Sequence, residues 1–300
     1  MNADDGDLLD PAFIARLRVL ALLVRRRRRQ RKQGPVQTSA AGHTREFKDR
    51  RHYSRGDDFR SIDWRAFARL DRLYVRVFEE VQEYHVHLLV DRSASMADPY
   101  RAKRRDALRL AMALGYMALT GGHRLSLHTL GDGCRRELPP LKGPGHVHGL
   151  AERLRGLTFD GPGDLGNSLA RFAGGGDARG LVFLISDCLG RSPEEALPAL
   201  KQMRAWPAET HVVQVLDPAE AAPTQDGELR LECVESGAVR RLWLTRDDLA
   251  RYRLAFAAWR DGLARACSGW EVDHMPWDTS KPFEEQFTAW LERGCALAGK

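Results

Sequence analysis

The sequence lacks the motifs on which several common enzyme classes depend. It has no G-x-x-x-x-G-K-[ST] P-loop, so it does not predict ATP hydrolysis by this chain. It also has no G-x-S-x-G nucleophile elbow and no H-E-x-x-H pair. The first of these absences removes the usual Ser-His-Asp hydrolase pattern, and the second removes the usual zinc-protease pattern.

Cysteine and long hydrophobic runs are also scarce. The five cysteines are odd in number and no two are spaced as C-x-x-C, which favours a reduced protein with structural thiols. The longest apolar run near the N-terminus, Val19–Val24, is far shorter than the ~20 residues that span a bilayer. Four aspartates within the first ten residues are unlike a signal peptide. We therefore expect a cytoplasmic protein without a transmembrane segment.

The net charge of +6 is mild and is concentrated in one place. Arg25–Arg29, Arg31 and Lys32 follow an N-terminal helical pattern that begins at Asp10-Pro11. Cations suit a helix C-terminus because they complement its dipole. A solvated helix end is therefore one interpretation, and nucleic-acid binding by this basic helix is a less favoured alternative.

The chain is organised around His85 to Met96, a buried strand that runs into a polar loop. Val86 and Leu88–Val90 form a short apolar run, which is typical of a strand covered on both faces. Asp91, Ser93 and Ser95 follow at alternate positions. Carboxylate and hydroxyl oxygens are the ligands that Mg²⁺ prefers, and ligands bind at this edge of open α/β sheets.

Helical and strand patterns alternate after this loop, which predicts a doubly wound, mostly parallel sheet. We predict an N-terminal amphipathic basic helix in 1–33, a folded segment in 34–84 that packs on the main domain, and the main α/β domain in 85–298. Residues 228–245 are predicted to form an inserted hairpin that turns at Glu235-Ser236-Gly237. The last strand is predicted over Trp270–Met275.

Two other groups of polar residues have structural interpretations. Asp57, Asp58 and Asp63 are expected to pair with Arg55, Arg60 and Arg65, while Ile62 and Trp64 are expected to pack. His85 and His87 are interpreted as the polar face of a strand rather than as metal ligands. Cys188, next to Asp187, is interpreted as a buried small residue.

The segment from Gly42 to Tyr84 carries a set of short motifs: Glu46-Phe47, Arg51, Tyr53, Gly56–Asp58, Arg60, Ile62–Trp64, Ala68-Arg69 and Val75-Arg76. Together with the D-R-S-A-S-M loop at Asp91 and L-I-S-D at Leu184–Asp187, this set resembles the bacterial domain-of-unknown-function 58 family. The resemblance implies a von Willebrand factor type A-like (Rossmann-like) domain. It also implies a non-enzymatic protein–protein interaction module that is accessory to a MoxR-type AAA+ ATPase in the assembly or activation of other proteins.

The same resemblance implies a metal-ion-dependent adhesion site for Mg²⁺. Asp91, Ser93 and Ser95 match its first loop, and Asp187 matches the aspartate after the fourth strand. A threonine is usual in the second loop, but that position is Gly163 here. Asp164 is the candidate replacement, and Ser168 is a weaker one.

Three alternatives remain open. The site can be vestigial, which gives a metal-free adaptor of the same fold. A metal-dependent hydrolase or nuclease using Asp91, Asp164 and Asp187 is disfavoured, because no histidine or general base accompanies them. Nucleic-acid binding by the basic helix is the third.

Overall fold

The structure is a computed structural model that describes residues 10–31, 44–81, 83–97, 99–189 and 193–293. The chain divides into two compact units. One contains residues 34–83, and the other contains residues 1–33 together with residues 84–300. The N-terminal helix therefore belongs to the larger unit, and the predicted packing of 34–84 on the main domain stays a prediction.

The larger unit is built on a six-stranded sheet. Strands are numbered in chain order through the whole molecule, so this sheet contains only some of them. The strands of the described residues are β1 Thr44–His52, β2 Tyr74–Val81, β3 His85–Asp91, β4 Arg124–Gly131, β5 Gly133–Lys142, β6 Gly180–Ser186, β7 Ala208–Leu216, β8 Gly227–Glu232, β9 Val239–Leu244 and β10 Asp273–Asp278. The sheet order is β10-β7-β6-β3-β4-β5. Every pair is parallel except β4 with β5, so the predicted doubly wound, mostly parallel sheet is confirmed.

Helices cover both faces of this sheet. The helices of the described residues are α1 Pro11–Arg31, α2 Trp64–Leu70, α3 Arg101–Thr120, α4 Val147–Arg155, α5 Leu165–Gly174, α6 Pro193–Lys201, α7 Pro218–Ala221, α8 Arg246–Gly269 and α9 Phe283–Arg293. None of the helices in these ranges is long and apolar enough to cross a membrane.

Two apolar clusters make the core. The larger joins α1, α3, α4 and α9 to the sheet and includes Phe13 and Leu17 of α1. The smaller joins α5, α6 and α8 to the sheet. Side chains of β3 belong to both clusters, with Leu88 in the larger and Leu89 in the smaller. Alternate residues of this strand therefore face opposite layers, as expected for a central strand buried on both sides.

The smaller unit is an antiparallel pair, β1 with β2, joined through α2. Asp63 caps α2 by accepting from the backbone N–H groups of Arg65 and Ala66. The predicted ion-pair partners are wrong: Asp63 pairs with Arg50 at 2.7 Å and Asp57 with Arg51 at 2.5 Å. Both arginines belong to β1, whereas Asp57 lies between β1 and α2 and Asp63 is the N-cap of α2.

Two further expectations for this unit have different outcomes. Ile62 is buried as expected, whereas Trp64 is 60% exposed. β1 is absent from the sequence-based prediction because six of its nine residues, TREFKDRRH, are charged and hide the strand pattern.

The last strand is misplaced by three residues. Prediction put it at Trp270–Met275, but α8 continues to Gly269 and Trp270 caps its end. Glu271 then takes a positive φ of 60°, which turns the chain before β10 begins at Asp273.

Several predicted features fall on other parts of the chain. The predicted linker lies mainly in 32–43, and the predicted closing helix continues past Arg293; both stretches lie outside the described residues. The basic run of Arg25–Arg29, Arg31 and Lys32 is outside them too, since the side chains of 23–31 and all of Lys32 are not among the described residues.

Candidate metal and partner-binding site

The candidate site lies where the strand order of the main sheet reverses. β3 and β6 are parallel neighbours at the centre of the sheet, and their connections leave in opposite directions. Asp91 ends β3 and Asp187 directly follows β6, so both carboxylates lie at the carboxyl edge of the sheet. Open α/β sheets bind their ligands in the crevice at this switch point.

Asp91 is buried and held in a fixed orientation. Its Oδ1 accepts from the backbone N–H of Ser93 at 2.9 Å, and its Oδ2 accepts from the hydroxyl of Ser186 at 2.5 Å. Burial, with the nearby charge of Asp187, raises the pKa of Asp91 to about 6. The group is therefore mainly ionised at neutral pH and is costly to leave without a compensating charge.

The first loop also brings two hydroxyls together. Ser93 Oγ and Ser95 Oγ are 3.1 Å apart. Adjacent ligands of an octahedral Mg²⁺ with bonds of 2.0–2.1 Å lie about 3 Å apart. The spacing of the two hydroxyl oxygens therefore suits neighbouring positions around such an ion, next to the carboxylate of Asp91.

Asp187 is paired with a buried lysine. Lys103, from the first turn of α3, donates to Asp187 Oδ2 at 2.8 Å and to Glu220 Oε1 at 2.6 Å. The side chain of Lys103 is 0% exposed and that of Asp187 is 1% exposed. Asp187 Oδ1 accepts from the backbone N–H of Leu189 at 3.0 Å. Both carboxylate oxygens of Asp187 are thus engaged.

The site carries more negative than positive charge. Asp187 and Glu220 both contact the ammonium of Lys103, and Asp91 is a third buried carboxylate, whose pKa is raised by burial and by the charge of Asp187. Burial by itself would lower the pKa of Lys103, but the charges and hydrogen bonds of Asp187 and Glu220 hold it above its usual value. Lys103 therefore stays protonated, and a surplus of carboxylate charge remains.

The second loop is tied to the first by backbone hydrogen bonds. Ala94 N donates to Gly161 O at 3.0 Å, and Gly161 N donates to Arg92 O at 3.3 Å. Gly161, Gly163 and Gly166 have G-x-G-x-x-G spacing, but this loop connects α4 to α5. A dinucleotide-binding fingerprint follows a strand, so this spacing does not indicate one here.

The predicted second-loop ligands have other roles in the structure. Asp164 is the N-cap of α5, where its Oδ1 accepts from Asn167 N at 2.9 Å. The hydroxyl of Ser168 is buried and lies 3.1 and 3.0 Å from the carbonyl oxygens of Gly131 and Gly133. It therefore stabilises the β4–β5 turn. Asp164 as a metal ligand stays a prediction.

Across the described ranges, no group of three His, Cys, Asp or Glu side chains is arranged to hold a metal ion. Asp91, Asp164 and Asp187 therefore do not form a three-carboxylate centre of the hydrolase type. The fit to Mg²⁺ rests instead on Asp91 with the hydroxyls of Ser93 and Ser95, a donor set of hard oxygens. Asp187 is the less available carboxylate, because its Oδ2 already accepts from the buried ammonium of Lys103.

Sequence reasoning missed four residues of this region: Ser186, Lys103, Glu220 and Glu235. Lys103 has a usable signal, since it lies four residues before Ala107 and eight before Ala111 on the buried face of α3. Glu220 belongs to a capping box with Asp217. Glu235 lies in the hairpin turn and accepts from the backbone N–H of Gly163 at 3.1 Å. Ser186, Glu220 and Glu235 have no comparable local signal, and the long-range packing of the fold determines their contacts.

Cys188 lies beside Asp187 and is buried, as expected. Burial, with the charge of Asp187, raises the pKa of its thiol well above the ordinary value. The thiol is therefore protonated at neutral pH and is a poor nucleophile.

Comparisons with known proteins agree with the motifs. The family model described as "Protein of unknown function DUF58" matches residues 49–262. An uncharacterized protein of Mycobacterium tuberculosis (strain ATCC 25618 / H37Rv) is 30% identical over 308 residues, which cover 98% of this chain and 94% of the relative.

Solved structures show weaker similarity. The protein BatB from Bacteroides thetaiotaomicron aligns with a TM-score of 0.43 and 12% identity, over 72% of this chain and 100% of that chain. A von Willebrand factor type A protein from Catenulispora acidiphila aligns with a TM-score of 0.37 and 19% identity, over 48% of this chain and 35% of that chain. The strand order β10-β7-β6-β3-β4-β5, with only β5 antiparallel, is the basis of the fold assignment.

Proposed function

This chain belongs to the DUF58 family and has a von Willebrand factor type A-like fold, and from that premise we propose that it is a non-enzymatic protein-interaction module. In this proposal the binding surface is the carboxyl edge of the main sheet around Asp91, Ser93 and Ser95. The partner is a MoxR-type AAA+ ATPase in the cytoplasm, and the outcome is the assembly or activation of other proteins.

One observation supports binding in particular. The switch point holds an oriented carboxylate and two hydroxyls, backed by a protonated lysine. In the described part of the chain, the hydrogen-bond partners of Asp91 and Asp187 are serine, lysine, glutamine and backbone groups. None of them is a histidine or an activated nucleophile, so the arrangement is better suited to holding a ligand than to transferring a proton.

We further propose that Mg²⁺ binds at Asp91, Ser93 and Ser95, with Asp187 reached through water. Such an ion would supply a positive point that attracts a carboxylate of the partner. The surplus of negative charge at the site supports this, because a cation would compensate the buried carboxylate of Asp91.

Lys103 favours a second candidate, the metal-free adaptor. Its ammonium already lies 2.8 Å from Asp187 and neutralises part of the charge that a cation would otherwise meet. In this version Asp91 and Ser93 only hold the loop in shape, and the partner contacts the loop surface without an ion.

The choice of an AAA+ partner comes from the family resemblance alone, so the test must identify the partner without assuming it. The protein is used as bait in a lysate of its native host, with and without EDTA. We expect the wild type to recover a MoxR-type ATPase. The amount recovered by Asp91→Asn should be at least tenfold lower. Recovery that EDTA and Asp91→Asn both leave unchanged would support the metal-free adaptor.

A matched control separates the site from general loss of charge. Asp261→Asn removes one carboxylate from the exposed surface of α8 and should leave recovery unchanged. If the wild type enriches no AAA+ ATPase, the proposed partner class is wrong.

A further inference from the structure

The turn of the β8–β9 hairpin meets the second loop of the candidate site. Glu235 Oε2 accepts a hydrogen bond from the backbone N–H of Gly163 at 3.1 Å, across 72 residues of sequence. Gly163 is buried, and Glu235 is partly buried beside it. Gly163 is also the position at which the family resemblance places a threonine ligand.

The carboxylate of Glu235 fills the space that a side chain at position 163 would need. A Cβ atom on Gly163 would lie 2.7 Å from Glu235 Oε1 and 3.2 Å from Oε2. A threonine hydroxyl lies one bond beyond its Cβ, in the same small volume. An oxygen atom is therefore present close to the expected ligand position, but the hairpin supplies it.

The hairpin presents this carboxylate on a tightly bonded turn. Cys233 N donates to Ala238 O at 2.8 Å, and Gly237 N donates to Cys233 O at 2.8 Å. Gly237 has a φ of +67°, a conformation that glycine adopts without strain. The position of Glu235 is therefore set by the backbone of the turn.

The loop that Glu235 contacts is itself paired with the first loop of the site. Gly161 pairs with Ser93 as a parallel bridge, and Gly163 is two residues further along the same loop. Glu235 is thus attached to the loop that is bonded directly to the loop of Ser93 and Ser95.

We propose that Glu235 is the second-loop ligand of the cation site, a carboxylate that replaces the missing hydroxyl at position 163. This inference rests on the Mg²⁺ version of the proposed function. It makes the ligand set of the site Asp91, Ser93, Ser95 and Glu235. The added negative charge would hold the ion more tightly and leave it less attractive to a partner's carboxylate than a threonine-based site.

The test measures Mn²⁺ binding by the electron paramagnetic resonance signal of the free ion. Mn²⁺ is a suitable probe because it takes the same oxygen ligands as Mg²⁺. We expect Glu235→Gln to weaken the affinity at least about tenfold, since loss of groups that merely orient metal ligands already costs 10–100-fold. Glu228→Gln makes the same change on the exposed side of the same hairpin and should leave the affinity unchanged.

A rescue variant tests the exchange of ligands directly. Glu235→Ala should bind Mn²⁺ weakly, and Glu235→Ala combined with Gly163→Thr should recover most of the affinity. Gly163→Thr alone should not improve binding, because its Cβ would meet the Glu235 carboxylate. Failure of the double variant to exceed Glu235→Ala would contradict the exchange.

Hydrogen exchange of the Gly163 amide gives a readout without metal. It should be faster in Glu235→Ala than in the wild type, and equal rates would overturn the contact on which the proposal stands.

Mn²⁺ binding by the variants distinguishes an error about Glu235 from an error about the ion site itself. If the wild type binds Mn²⁺ and Asp91→Asn does not, but Glu235→Gln binds as the wild type does, the inference about Glu235 is wrong and the ion site stands. If the wild type and Asp91→Asn both fail to bind Mn²⁺, the ion site itself is wrong and Glu235 is not a metal ligand.

Discussion

Lys103 is the buried cation of the candidate site. Its ammonium is fully buried between Asp187 and Glu220, with bonds of 2.8 and 2.6 Å. A buried ion pair adds little net stability over an apolar replacement, but removing one partner leaves an uncompensated charge. Lys103 therefore keeps two carboxylates tolerable at the edge of the sheet.

Replacing Lys103 by methionine should be strongly destabilising. The change keeps most of the side-chain volume but leaves Asp187 and Glu220 buried without their cation. We expect a loss of about 3–5 kcal/mol in the free energy of unfolding, measured by urea titration at neutral pH. Lys103→Met with Glu220→Gln should regain part of this loss.

Lys201→Met provides the control, because this lysine at the end of α6 is exposed. It should change stability by less than about 0.5 kcal/mol. A loss for Lys103→Met that is no larger than for Lys201→Met would mean that Lys103 does not compensate the two carboxylates.

For single residues, the sequence predicts contacts between sequence neighbours better than contacts between residues far apart in the chain. Asp91, Ser93 and Ser95 share one loop, and their alternate spacing predicts that they lie together. Ser186, which bonds Asp91, and Glu235, which bonds Gly163, carry no local pattern. Their roles follow from strand pairing and from the hairpin's position, which are long-range features of the fold.

Two adjacent strands of the main sheet share a group of buried histidines. His87 on β3 and His128 on β4 lie 5.6 Å apart between ring centroids, and both pack against Phe172 of α5. Neither ring nitrogen of His87 has a hydrogen-bond partner in the described residues. The sequence predicts that His87 is part of a polar strand face, but α5 covers that face and the ring is buried.

Burial holds these histidines neutral. It lowers the pKa of His87 to about 3, assisted by the charges of His85 and His128, and that of His128 to about 4. Arg136 lowers the pKa of both rings further, while Asp177 acts against the shift. Cys134, 3.8 Å from His128, stays a neutral thiol because burial raises its pKa to about 11.

These two histidines should therefore lower the stability of the protein in mild acid, and the raised pKa of Asp91 should offset part of that loss. Unfolded histidines take up a proton below about pH 6.5, whereas these two do not in the folded state, so protons favour unfolding. Between pH 7 and pH 5 each ring should cost about 2 kcal/mol in the free energy of unfolding, and the loss should level off near pH 3–4. Urea titrations at several pH values measure this.

His87→Leu should flatten the pH dependence and raise stability at pH 5, because it removes an unpartnered buried ring. His148→Leu is the control, since His148 is exposed and should leave the slope unchanged. An equal slope in the wild type and His87→Leu would show that His87 does not cause the loss.

Both the buried central strands and the exposed β8–β9 hairpin were predictable from local patterns. β3 and β6 have short apolar runs and β7 has valines on either side of Gln214, and the predicted strand type is confirmed for all three. β1 failed because charge dominates its sequence, and β10 was misplaced because α8 runs on to Gly269. Both failures concern exposed or terminal positions, where burial no longer determines the sequence pattern.

In the main unit, the two carboxylates that the sequence did not predict lie in the same connection between secondary-structure elements. Glu220 and Glu235 both lie between β7 and α8, in α7 and the β8–β9 hairpin. Alternating strands and helices predict the doubly wound sheet without saying where such an insertion returns. The fold and the first loop could thus be predicted, whereas the second half of the site could not.

The most direct test of the interaction proposal is binding of the purified MoxR-type AAA+ ATPase from the same host. Affinity is measured in the presence of Mg²⁺ for the wild type, Asp91→Asn and the control Asp261→Asn. The Asp91→Asn variant is used instead of EDTA, because EDTA would also remove Mg²⁺ from the nucleotide of the ATPase. We predict binding by the wild type and Asp261→Asn and at least tenfold weaker binding by Asp91→Asn. Equal affinity of all three proteins, or no binding by the wild type, would contradict an interaction through Asp91.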